Sequence, residues 1–169
     1  SCVMNPLELP LVAAIRRNHA LEHATMNVLS ERRPNLRLVG RSDWAGFTLY
    51  GMVDTDGVAA AVSTALQRLL AGESRLAIHP RCGTNVATGV VLAGLASYVA
   101  LSSRRKSRWR KALRMFLGLI AALALAQPLG IKLQECITTS PDVTGLHVVS
   151  IRRQKQGLLI MHRIGTTQE

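Results

Sequence analysis

Residues 84 to 131 read TNVATGVVLAGLASYVAL (Thr84–Leu101), SSRRKSRWRKALR (Ser102–Arg114) and MFLGLIAALALAQPLGI (Met115–Ile131). How this apolar–basic–apolar series is read decides the fold. Neither apolar segment contains a charged residue, whereas the segment between them holds seven of the 21 lysines and arginines and no acid. A helix needs about 20 apolar residues to cross the hydrocarbon core of a bilayer, with a range of about 17–25. Both segments fall at the short end of that range. The other reading is a buried hairpin of a soluble protein, but a turn between core helices rarely carries so much charge of one sign. The series therefore predicts a two-helix transmembrane hairpin over 84–131. Trp109 would lie at headgroup level and the basic loop 102–114 on the cytoplasmic side.

The bulk composition agrees with that segregation. A chain of 169 residues that is 48% apolar and yet carries a net charge of +11 must keep its apolar and basic residues apart. The length suits one domain plus a membrane element. Because the positive charge is local and beside apolar spans, nucleic acid is not an expected partner. The lipid bilayer, with its anionic headgroups, is. Cys2, Cys82 and Cys136 cannot all pair within the chain, so they do not indicate an oxidising compartment. Two spans put both chain ends on one side of the membrane, and a cytoplasmic loop would place them outside. The opening SCVMNPLELPLVAAIRRN lacks the basic and long apolar segments of a signal peptide. A partly inserted hairpin would instead leave the ends cytoplasmic.

On either side of the hairpin the patterning is that of a small α+β domain. Apolar Leu11, Ile15, Leu21, Val28 and Leu29 recur at roughly helical spacing between Leu11 and Glu31, and RRPN (Arg32–Asn35) ends that helix. LRLVG (36–40) and GFTLYGMV (46–53) alternate as two strands, with RSDWA as the turn. Asp54 or Asp56 would cap a further helix that Gly72 closes. After the hairpin come a polar loop (Gln134–Gly145) and two more strands, LHVVSIRR (146–153) and GLLIMHRI (157–164). The expected fold is thus a mixed domain with a long N-terminal helix, two β-hairpins sharing one sheet and one further helix. The transmembrane hairpin is inserted into it. The segments are 1–83, 84–131 and 132–169.

The chemistry concentrates in two short stretches. NHALEHAT (18–25) sets His19 and His23 four residues apart on one helical face, with Glu22 at its rim. This is H-x-x-E-H, the reversed form of a zinc-protease motif. Two neutral imidazoles suit a divalent metal, and a carboxylate beside them suits a general base. Taken alone, the pattern arises more often by chance on a solvated helix. HPRCGTN (79–85) stands immediately before the first apolar span and offers His79 or Cys82 as a third ligand, leaving one position open. Its other reading is a structural turn with a buried thiol. His147 and His162, lone histidines in the last strands, read as structural. Glu73, Glu135 and Asp142 are further carboxylates that no spacing selects. Arg81 could hold an anionic group or simply a lipid headgroup.

HALEH followed by HPRCGT and an apolar span resembles the YqhQ-like bacterial membrane proteins, which carry H-G-A-E-H and then H-P-R-C-G-T at the start of a transmembrane helix. The resemblance covers His19, Glu22, His23 and residues 79–84. Leu21 departs from that pattern, the 36–70 segment lengthens the spacing, and the spans are fewer, which suggests a distant relative. It implies an integral protein of the bacterial inner (plasma) membrane. The expected activity is a metal-dependent hydrolase that cleaves a peptide, amide or lipid-like ester. Zinc on His19, His23, His79 or Cys82 would be the cofactor and Glu22 the catalytic base. The alternative is a non-catalytic accessory subunit of a larger membrane complex, in which the same residues are structural and other membrane subunits are the partners.

Overall fold

The computed structural model describes residues 5–102, 107–156 and 159–168. The chain forms two compact units, one from residues 1–79 and 135–169 and the other from residues 80–134.

In the first unit, α1 (Pro10–Arg32) starts with proline at its first position, where the missing N–H leaves nothing unpaired. Pro34 lies just beyond its end. Helix α2 (Thr55–Leu70) is capped by Asp54, whose carboxylate accepts from the Gly57 N–H at 2.8 Å. Gly72, at φ +93°, takes the left-handed turn that follows the helix. Strands β1 (Val39–Asp43), β2 (Gly46–Tyr50), β3 (Leu146–Gln156) and β4 (Leu159–Gln168) form an antiparallel sheet in the order β1-β2-β4-β3 among the described residues. The two hairpins do share one sheet, joined by β2 against β4. Helices α1 and α2 supply Leu21, Ala24, Val28, Val58, Val62 and Leu69 to the core, and the sheet adds Phe47, Leu49, Leu146 and Ile164.

Several boundaries differ from expectation, each for a local reason. The first strand starts at Val39 rather than Leu36 and runs through Arg41, Ser42 and Asp43, which the sequence assigns to a turn. Asp43 is held in the sheet by a two-pronged contact with Arg163 of β4, both arms at 2.8 Å. The turn shrinks to Trp44 and Ala45, with Gly46 at φ +139°. Leu11 and Ile15, two of the apolar positions whose spacing marks α1, are exposed, because its buried stretch begins only at Asn18. The last two strands run on to Gln156 and Gln168, while residues 157 and 158 lie outside the described residues.

The second unit is a helical hairpin of α3 (Gly83–Leu101) and α4 (Arg108–Leu133). At about 1.5 Å per residue they are about 28 and 39 Å long, against about 30 Å for a bilayer core. Both are long and apolar enough to cross a membrane. A Cβ at Gly118 would come 2.9 Å from that of Ala96, and one at Gly89 would come 3.3 Å from that of Ala126. The contact points advance in opposite directions along the two helices, so the helices pack antiparallel, and small residues set the spacing. Val90, Leu95, Tyr98, Phe116, Leu117 and Leu123 are each more than half exposed. The core hairpin of a soluble protein would bury such residues.

The expected basic loop is helical from Arg108 onward. Arg108, Arg110, Lys111 and Arg114 belong to the first turns of α4, begun by the Ser107 cap, while Arg104, Arg105 and Lys106 lie outside the described residues. The expected polar loop also starts as helix, because α4 passes into a π turn over Gln134–Thr138. Within the unit, Gln134 donates to the Asn85 side-chain oxygen at 2.8 Å, and Asn85 donates to the Pro80 carbonyl at 2.8 Å. A buried amide chain of this kind is stable only when its members are paired.

Candidate metal centre

The middle of α1 is buried on most sides, and its polar residues are paired. Asn18 donates to the Asp43 carbonyl at 2.8 Å and accepts from the Thr166 hydroxyl at 2.7 Å. One face of the helix carries Arg16, His19, His23 and Asn27 at three- and four-residue spacing, so their side chains lie one above another. The His19 and His23 rings are 4.2 Å apart between centroids, and the His79 ring lies 5.7 Å from that of His23.

The hydrogen bonds fix how the imidazoles face. His23 Nδ1 lies 2.8 Å from the Ala77 carbonyl and His19 Nδ1 lies 2.9 Å from the Thr138 carbonyl. A carbonyl can only accept, so both Nδ1 atoms carry hydrogen, and Nε2 is the nitrogen that would bear the lone pair of a neutral ring. Side chains on the same face hold those carbonyls in place. Asn27 donates to the carbonyls of Leu76 and Ile78, each at 3.0 Å, on either side of Ala77. Arg16 donates to the carbonyl of Thr139 at 3.0 Å and to that of Cys136 at 3.4 Å, on either side of Thr138. The Ser140 N–H returns a bond to the Arg16 carbonyl at 3.1 Å.

Glu22 turns toward the sheet. Its carboxylate accepts a short hydrogen bond from the Ser42 hydroxyl of β1 and packs where a Cβ at Gly40 would otherwise sit. Only 4% of the residue is exposed. Burial pushes its carboxyl above the ordinary carboxylate value, while the Ser42 hydroxyl and the nearby His19 pull the other way.

The remaining candidates separate clearly. Cys82 is buried at the start of α3, in the second unit, where its sulfur accepts from the Thr84 N–H at 3.4 Å. By residue type, the imidazoles of His19 and His23 in the first unit and the thiol of Cys82 in the second are each donors that a divalent metal accepts. Cys82 and Cys136 are thiols rather than a disulfide, and Cys2 lies outside the described residues. Arg81 is exposed. Glu73 is engaged by Arg68 at 2.7 Å, and Asp142 accepts from the Thr144 N–H at 3.1 Å. His162 is buried, with its Nε2 3.2 Å from the Thr55 hydroxyl, and burial lowers its pKa.

Sequence reasoning overlooked Ser42, Gly40, Arg16 and Asn27. The last two were legible as polar members of the His19–His23 stripe. Ser42 and Gly40 reach Glu22 only through folding of the chain.

The architecture and the histidine stripe define the first unit as a small α+β domain with a candidate metal centre on its longest helix. The chain belongs to the family described as domain of unknown function DUF6391, whose model matches residues 14–151 and so includes His19, Glu22, His23, His79 and Cys82. It is 42% identical over 136 residues to an uncharacterized protein of Picosynechococcus sp.. That similarity covers 75% of this chain and 66% of the relative, so the chain spans just under two thirds of that protein's length. No solved structure matches the chain. None of these similarities supports the YqhQ-like resemblance, which is confined to the two motifs.

Proposed function

We propose that this protein is a membrane-anchored, metal-dependent hydrolase. His19 and His23 hold a divalent ion, zinc by donor preference, and the third ligand is His79 or Cys82. The observation that carries this reading is the matched orientation of two histidines one helical turn apart. Each donates its Nδ1–H to a carbonyl outside its own helix, which leaves Nε2 as the nitrogen to bind an ion. Metal-ligating histidines are held in this way by carbonyls or carboxylates. The third ring beside His23, and a soft donor three residues after it at Cys82, extend the donor set.

When bound, the ion supplies Lewis-acid polarisation and makes water more acidic. The rest of the chemistry falls to the chain. Glu22 takes the proton from water that attacks a carbonyl and returns it to the departing nitrogen or oxygen as the C–N or C–O bond breaks. A carboxyl raised by burial suits a group that must first hold that proton and then release it. The α3–α4 hairpin anchors the domain in the bilayer, and the basic first turns of α4 stay on the cytoplasmic side.

Metal analysis tests the reading. Full-length protein purified in detergent is expected to carry near-stoichiometric zinc, lost in His19→Ala and His23→Ala. Glu22→Gln keeps the metal and abolishes hydrolysis. A wild-type protein that neither retains nor takes up metal ends the proposal.

One observation favours a second reading, that of a non-catalytic subunit. The Glu22 carboxylate is buried and already bonded to Ser42, as in a structural network. Under that reading Glu22→Gln alters stability alone, and the protein co-purifies stably with other membrane subunits.

A further inference from the structure

Strand β1 ends the sheet on one side, and its register shows which of its main-chain groups face outward. The Thr166 N–H donates to the Ala45 carbonyl at 3.0 Å and the Gly51 N–H donates to the Ile160 carbonyl at 3.1 Å. Residues 45, 47, 49 and 51 therefore turn their main-chain groups toward β4. The alternation of an antiparallel ladder turns those of Gly46, Thr48 and Tyr50 toward β1, where their partners are Asp43, Arg41 and Val39. What remains is the N–H and C=O of Gly40 and of Ser42, directed away from the sheet. These are the two residues that touch the Glu22 carboxylate.

We propose that an extended polypeptide binds as an added strand along β1, pairing with Gly40 and Ser42, so that its backbone lies beside Glu22. The inference rests on the hydrolase reading and narrows its substrate class to polypeptide. Strand addition at an open edge supplies main-chain hydrogen bonds whatever the side chains. Gly40 lacks the Cβ that would collide with Glu22, so strand and carboxylate approach closely. The opposite edge is less suitable, because β3 is broken by a bulge between Val148 and Ser150. The exposed Arg32, Arg37 and Arg41 along the approach to β1 favour an acidic chain.

The test uses full-length Glu22→Gln protein in detergent, supplied with zinc, and amide hydrogen exchange as readout. The probe is an unstructured peptide of alternating valine and glutamate. Exchange at Gly40 and Ser42 is expected to slow several-fold and saturably with the peptide. An otherwise identical N-methylated peptide, which cannot pair along its backbone, is expected to leave it unchanged. Equal protection by both peptides, or by neither, overturns the inference. Protection only by phosphatidylglycerol added to the same micelles overturns it in favour of a lipid substrate. Metal content is measured in the same samples. Zinc without strand protection sinks this inference alone, whereas strand protection without zinc keeps the peptide site and sinks the hydrolase reading.

Discussion

At Gly40 the backbone of β1 comes so close to Glu22 that any Cβ would overlap the carboxylate. The contact joins the helix that bears the histidines to the edge of the sheet, and it depends on one missing methyl group. Gly40→Ala is expected to displace Glu22 from Ser42 and to cost about 1–3 kcal/mol, as overpacking of a filled interior does. Much of that loss should return in a Glu22→Ala background, because the two positions are in direct contact and their effects do not add. Thermal unfolding of the two single variants and the double variant measures the coupling. Additive losses would show that Glu22 does not occupy the space above Gly40.

The elements divide the work between polar and apolar faces. Along α1, Arg16 and Asn27 bracket the two histidines and fasten the segments whose carbonyls orient them. The helix thus serves as core and as site at once, and charged and amide residues recur inside an otherwise apolar stretch. In the other unit the decisive feature is smallness. Small residues let the two helix backbones approach closely, a packing that needs no hydrophobic driving force between them. Gly118→Val puts bulk against Ala96 and is expected to lower the thermal stability of the detergent-solubilised protein. Gly94→Val, where nothing lies within 4 Å, is its control and should change little. Equal effects at the two positions would argue against the α3–α4 packing described above.

Across the whole molecule, charge and hydropathy are partitioned between the units. Residues 80–134 contain no acidic side chain, and all ten acids lie in the other unit. The exposed apolar faces of α3 and α4 together far exceed the scattered surface leucines of an ordinary domain. If that surface meets lipid, the protein should stay with membranes through alkaline carbonate extraction and enter solution only with detergent. Release by carbonate alone would point to a peripheral protein and remove the anchor from the proposed function.

The sequence by itself determined the two long apolar helices, the α+β character of the flanks, the pairing of His19 with His23, and a cap at Asp54 or Asp56. These follow from periodicity and spacing, which are local properties. It misplaced the edges of β1 and extended the basic and polar segments as loops. Those boundaries depend on distant partners, as where Arg163 holds Asp43 in the sheet. Only the tertiary structure brought Ser42 and Gly40 to Glu22 and placed the Ala77 and Thr138 carbonyls on the histidines. Hydrogen bonds between residues scores of positions apart leave no trace in local pattern, because their cost and gain are decided when burial removes water from both partners together.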